Sequence, residues 1–190
     1  MRTPLSPALL RRWWRLLHRG CGGFAVAVGL AVLAGCATAE GPEPRGAAAV
    51  RQEIAGKIAG IRDAILAKSA EGIVRPGTDD WSFTGPDGVT FERKGFVART
   101  EALFARVVAI ESLTTDVDRI AFASPTAADV EITQTMVRSE LAADTGAVTR
   151  LWLRYRERHA WVRTPTGWRV RKVEFIGTPE RRVLAAGEKP

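Results

Sequence analysis

The chain has 190 residues, 28 of them lysine or arginine against 21 aspartate or glutamate, for a net charge of +7 and a pI of about 10.2. Five of the arginines (Arg2, Arg11, Arg12, Arg15 and Arg19) precede Cys36 in a stretch without acidic residues, so the rest of the chain holds 23 basic against 21 acidic residues, a net +2. That near balance removes the charge argument for nucleic acid binding. Of the two cysteines only Cys36 lies past residue 35, which excludes an intrachain disulfide and a cysteine-built metal site there.

Residues 1–35 read as a targeting segment. A basic start is followed by an apolar run from Gly22 to Ala34 that ends in small residues, the pattern of an export signal. The run is too short to span a bilayer comfortably, which takes about 20 apolar residues. Its end, Leu33-Ala34-Gly35-Cys36, resembles the bacterial lipobox. That resemblance implies a lipid thioether on Cys36 and a protein held in the cell envelope, facing the periplasm. Ala37, where an inner-membrane lipoprotein of this kind carries Asp, resembles the outer-membrane pattern. The expected organisation is a signal over 1–35, a lipidated cysteine and flexible tether over 36–49, a domain over 50–178 and a polar tail over 179–190.

From Val50 the pattern changes. Ile54, Ile58, Ile61 and Ile65 recur at spacings of four, three and four, with Arg51, Glu53, Lys57 and Arg62 falling mostly between them. This predicts an amphipathic helix of about five turns. Gly56 and Gly60 weaken it by roughly 1 kcal/mol each relative to alanine, which suggests that another element approaches closely there. Gly85-Pro86-Asp87-Gly88 is a turn by composition, and the alternating runs on either side predict a small hairpin. A second helix is expected over 94–107, with Phe96, Thr100, Leu103, Phe104 and Val107 on its buried face. Strands follow over 110–122, 128–141, 148–163 and 168–177, separated by short turns rich in Pro, Gly and Asp. Helices first and long strands afterwards make an α+β domain with an antiparallel meander.

Three pieces of the sequence carry a resemblance. They are Asp79-Asp80-Trp81-Ser82-Phe83-Thr84-Gly85-Pro86-Asp87-Gly88 before a helix, Ser124-Pro125-Thr126-Ala127-Ala128-Asp129-Val130-Glu131, and Thr166-Gly167-Trp168-Arg169-Val170. In this order they resemble the nuclear-transport-factor-2-like (cystatin-like cone) superfamily, over about Arg51 to Gly177. The resemblance implies a strongly curved sheet wrapped around the first helix, with a pocket at the open end of the cone. Ketosteroid isomerase, scytalone dehydratase, limonene epoxide hydrolase and many non-enzymatic binding domains share this fold, so fold alone leaves function open.

Alternation along 148–163 turns Leu151, Leu153, Tyr155, Glu157, His159 and Trp161 inward, and Trp152, Arg154, Arg156 and Arg158 outward. Turn positions then set Gln134 opposite Tyr155 and Ile132 opposite Glu157. On the last strand they set Lys172 opposite His159 and Glu174 opposite Glu157, unless a bulge substitutes Val173 and Phe175. A carboxylate in an apolar pocket holds its proton more tightly and suits a general base, and His159 suits proton shuttling. The catalytic candidates are therefore Asp80, Glu157 and His159. Asp80 enters because catalytic relatives use a pocket aspartate, although an aspartate before a short strand more often closes a turn. Trp81, Gln134, Tyr155 and Trp161 are the candidate ligand-binding residues.

The outer arginine stripe, Arg150, Arg154, Arg156 and Arg158 with Arg169 and Arg171, suits an anionic partner or, more simply, cross-strand pairs such as Glu131 with Arg158. The first functional reading is a non-catalytic lipoprotein domain that binds a small apolar ligand or a protein partner, with the sheet available for a homodimer. The alternative is a small isomerase, dehydratase or hydrolase. A pocket filled by Trp81, Trp161 and Tyr155 favours the first, and an isolated carboxylate in a closed apolar pocket favours the second. No cofactor, metal or nucleic acid is expected.

Overall fold

The computed structural model describes residues 41–142, 145–185 and 187–189. The expected export signal, with Cys36 and Ala37, lies outside the described residues.

Helix α1 spans Ala47–Leu66 and buries Val50, Ile54, Ile58, Ile61 and Ile65, the stripe that the spacing predicts. It starts three residues before the expected boundary, and the chain ahead of it is already attached to the sheet. Gly41 N–H donates to Phe122 O at 2.8 Å, and Arg51 bonds both Glu43 and the Ile120 carbonyl. Neither Gly56 nor Gly60 is a contact point: a Cβ at either would meet nothing within 4 Å. The close approach is at Gly72, where a Cβ would stand 2.8 Å from the Ala64 Cβ. Gly72 belongs to a short helix α2 (Ala70–Val74) that the sequence reading missed. The Ser69 hydroxyl caps it by accepting from Gly72 N–H at 3.1 Å.

The predicted hairpin is β1 (Gly77–Thr84) and β2 (Thr90–Glu92), antiparallel with Phe83 opposite Phe91. Helix α3 (Arg93–Phe104) follows, and Val107 opens the next strand instead of ending the helix. Strands β3 (Val107–Ser124), β4 (Ala127–Leu141), β5 (Val148–Thr164) and β6 (Gly167–Val183) form the expected meander. The order across the sheet is β2-β1-β6-β5-β4-β3. Strand β1 joins the meander parallel to β6, with Phe83 beside Val173, so the sheet is not purely antiparallel.

The last strand does not stop near residue 178. It continues to Val183, where it pairs with Leu151, and Leu184 is buried behind it. What reads by composition as a polar tail is therefore partly sheet. Arginines and glutamates fill it because its outward side chains face solvent.

The helices cover one face of the curved sheet. The main core joins Val50, Ile54 and Ile58 of α1 to Val130, Ile132, Trp161, Trp168 and Val170 of the sheet. A smaller cluster of Ile61, Ile65 and Met136 lies further along α1. No helix among the described residues is long and apolar enough to cross a membrane.

Candidate functional site: an aromatic-walled cavity with a buried Glu–His pair

Between the two apolar clusters lies a cavity of about 190 Å³. Ile61 and Ile65 of α1 and Ile73 of α2 line one side. Helix α3 contributes Phe96, Thr100, Leu103 and Phe104. The sheet contributes Gln134, Met136 and Arg138 from β4, and Tyr155, Glu157 and His159 from β5. Trp81 and Phe83 of β1 and Val170, Val173 and Phe175 of β6 complete it.

The aromatic wall is continuous. Phe96 packs edge-on to Trp81 at 5.0 Å between ring centroids and against Phe83 at 4.9 Å. Phe175 bridges Phe83 at 5.7 Å and Tyr155 at 5.2 Å. Such pairs hold ring orientations beyond what area burial alone would fix.

The alternation rule delivers the polar residues correctly. Gln134 stands opposite Tyr155 and Ile132 opposite Glu157. On the other side a bulge decides the register. Ala160 pairs with Lys172 but Trp161 pairs with Val170, which leaves Arg171 as the extra residue. Val173 and Phe175 therefore face His159 and Glu157. Glu174 and Lys172 turn outward, where they pair with each other at 2.5 Å. The arrangement that would put Glu174 in the cone is thus excluded.

Glu157 and His159 form a buried pair, with Oε2 and Nε2 3.0 Å apart. Their residues are 8% and 1% exposed. With Glu157 ionised, the imidazole Nε2–H donates to the carboxylate. His159 Nδ1 is buried without a hydrogen-bond partner. One turn of the pleat away, the Tyr155 hydroxyl donates to Gln134 Oε1 at 3.1 Å. Burial, reinforced by the nearby Glu157 carboxylate, pushes the Tyr155 phenol well above its usual value, so it stays a neutral donor.

Two candidates fall outside the cavity. Asp80 is exposed on β1, and its carboxylate accepts from Arg171 Nε at 2.8 Å. Strand β1 is irregular between Gly77 and Ser82; it buries Gly77 and Trp81 and turns Phe83 to the cavity, while Asp79 and Asp80 are left exposed. Trp161 is buried in the main core, beside Trp168 and not against the cavity. The causes differ: Asp80 is on the solvent side of β1, whereas Trp161 is on the inner face where the first half of α1 fills the space.

The sequence reading passed over Arg138. It lies two residues beyond Met136 on β4, so the same alternation turns it inward. Its charge concealed it, because an arginine among alternating residues reads as an outward one.

Most of the outer stripe is paired with carboxylates, while Arg169 bonds the Arg75 carbonyl and the Thr166 hydroxyl. Glu131 binds Arg156 at 3.0 Å and Arg158 at 3.2 Å, Glu111 binds Arg150 at 2.7 Å, and Glu180 lies 3.8 Å from Arg154. Arg182 stacks over the Trp152 ring at 4.3 Å. The stripe is a solvated sheet face with cross-strand pairs, each worth a few tenths of a kcal/mol.

Solved structures agree on the architecture. A hexachlorocyclohexane dehydrochlorinase of type 2 superposes with a TM-score of 0.63 at 12% identity, covering 75% of this chain and 94% of its own. A ketosteroid isomerase-like protein from Erwinia carotovora atroseptica gives 0.52 at 17% identity, over 68% of this chain and 96% of its own. A nuclear-transport-factor-2-like protein from Cytophaga hutchinsonii gives 0.52 at 15% identity, over 67% of this chain and 98% of its own. No family model matches the sequence, and no curated protein matches it.

Proposed function

With the nuclear-transport-factor-2-like cone as the fold, we propose that this protein is an envelope lipoprotein, anchored through Cys36, whose cone binds a small and mainly apolar molecule. The observation that carries the binding half is the cavity itself. Aromatic and aliphatic side chains make up most of its wall, and two polar pairs, Tyr155 with Gln134 and Glu157 with His159, are oriented by bonds within the sheet. That is the usual make-up of a ligand site. At about 190 Å³ it is slightly larger than the dry cavity of about 150 Å³ that accepts benzene in another protein, so one substituted ring or a short chain fits. The sequence pattern ending at Leu33-Ala34-Gly35-Cys36 supports the anchoring half.

Native mass spectrometry of the protein released from its own envelope tests both halves. A lipidated N-terminal Cys36 and a retained small molecule are expected, with the molecule lost in Leu103→Trp, which fills the half-exposed wall of the cavity. An unlipidated chain contradicts the anchoring, and an empty protein at all stages of purification contradicts the binding.

The Glu157–His159 pair favours one second reading. The carboxylate is inside the cavity and the imidazole fixes its orientation, an arrangement suited to moving a proton on a bound ligand. In that reading Glu157 is the catalytic residue and His159 a positioning residue. Deuterium exchange into the retained molecule, abolished in Glu157→Gln, is its signature.

A further inference from the structure

We propose that the molecule held in the cone is a monoanion, an apolar body carrying one carboxylate that docks on Arg138 at the mouth. This rests on the binding reading above and adds the ligand's charge and its direction of entry.

The inner end of the cavity is sealed and the outer end is not. His159, Trp81 and Val170 are almost wholly buried, whereas Leu103 and Phe104 are half-buried. Arg138 belongs to the outer end. Its level on β4 is six residues beyond Ile132, the residue opposite Glu157, which is about 20 Å along a strand.

Cations gather at this end. Arg138 Nη2 lies 2.8 Å from Glu140 Oε2, and the other oxygen of Glu140 lies 3.7 Å from Arg181 Nη2. Two guanidinium groups thus share one carboxylate, which leaves the cluster with a net charge of +1. Arg138 Nε is buried and has no hydrogen-bond partner. Two more cations flank the cluster, each just past a helix that lines the cavity. Lys68 donates to Val107 O at 2.9 Å, and Arg106 donates to Leu141 O at 3.1 Å. Carbonyl partners fix the position of these groups and leave their charge uncancelled.

The interior has the opposite character. Glu157 is its acidic group, and Tyr155 stays protonated. A carboxylate entering first would approach Glu157 in a low-dielectric wall and be repelled. One that trails stops at Arg138, where the guanidinium fork suits it. The apolar body then lies among Ile65, Met136, Phe96 and Phe175. The cationic rim also raises the local concentration of anions.

The test is calorimetric titration of the full-length protein in lipid nanodiscs with matched pairs of six to ten carbons, such as 4-methylbenzoate against 4-methylbenzyl alcohol. The acid is expected to bind at least tenfold more tightly, and added salt should shrink that ratio. Arg138→Gln should bring the ratio to about one, while Arg138→Lys keeps part of it. Arg106→Gln, an exposed substitution that leaves the fold intact, should lower the ratio without touching the cavity wall. An alcohol that binds as well as its acid, or a ratio unchanged in Arg138→Gln, overturns the monoanion inference alone. If no acid and no alcohol binds, the ligand-binding reading itself fails.

Discussion

Glu157 and His159 stand two residues apart on one strand, with Oε2 and Nε2 held 3.0 Å apart inside a mostly apolar cavity. An isolated carboxylate in a closed apolar pocket would point to an enzyme, and a pocket filled by Trp81, Trp161 and Tyr155 to a non-catalytic domain. The protein has neither, since the carboxylate is partnered and the space beside it is open.

That pairing has a measurable asymmetry. His159→Leu leaves a carboxylate in the wall without its donor, and is expected to cost about 3–5 kcal/mol in urea unfolding. Glu157→Gln keeps an acceptor for Nε2–H and should cost only about 1–2 kcal/mol. The double variant is expected to cost clearly less than the two losses added, because it leaves no charge stranded. Strict additivity would mean that the two groups do not interact.

Tyr155 is the only tyrosine in the chain, so its ionisation can be followed without overlap. Its folded-state phenol lies above the ordinary value of 10.0 because burial disfavours the phenolate and Glu157 repels it. The folded state therefore holds the proton where the unfolded state has released it, and stability falls as pH rises past 10. Absorbance of tyrosinate should appear only together with unfolding. A separate ionisation near pH 10 in the folded protein would contradict the partly buried Tyr155–Gln134 bond.

Gly56 and Gly60 lie mid-helix in α1, and nothing surrounds the place where a Cβ would go. Gly56→Ala and Gly60→Ala should each raise stability by about 1 kcal/mol, from helix propensity alone. Gly72→Ala should do the reverse, because its new methyl meets Ala64. Thermal unfolding of the three variants checks all of this at once.

Truncation after Thr178 probes the extent of the sheet. It removes the part of β6 that pairs with Leu151–Arg154, and it uncovers Leu151, which is fully buried. The shortened chain is expected to lose cooperative unfolding, whereas a cut after Gly187 should leave it nearly unchanged. Equal behaviour of the two would mean that 179–183 contributes little to the sheet.

Much of this was readable in the residues. The isoleucine spacing placed α1, and period-two alternation placed Tyr155, Glu157 and His159 on one face with Gln134 across from Tyr155. The same rule gave two candidate registers for β6. Only the bulge at Arg171 separates them, and two adjacent charged residues, Arg171 and Lys172, carry no signal of which one is extra. Arg138 escaped because its inward position conflicts with its charge, and the conflict resolves only through Glu140, a partner on the same strand. Asp80 and Trp161 looked suited to a site by residue type. Asp80 sits where β1 is irregular and faces solvent, and Trp161 sits where α1 fills the inner face; both depend on three-dimensional packing. The export signal and Cys36 remain a sequence argument, since they lie outside the described residues.

The most direct test of the central claim uses the scarcity of methionine. The chain has only Met1 and Met136, and Met136 lines the cavity. With the methionine methyl groups labelled with carbon-13, a titration with 4-methylbenzoate should move the buried Met136 resonance in a saturable way. In Leu103→Trp the same titration should leave it still. A Met136 resonance that stays in place at every ligand concentration in the unaltered protein would contradict a ligand-binding cone.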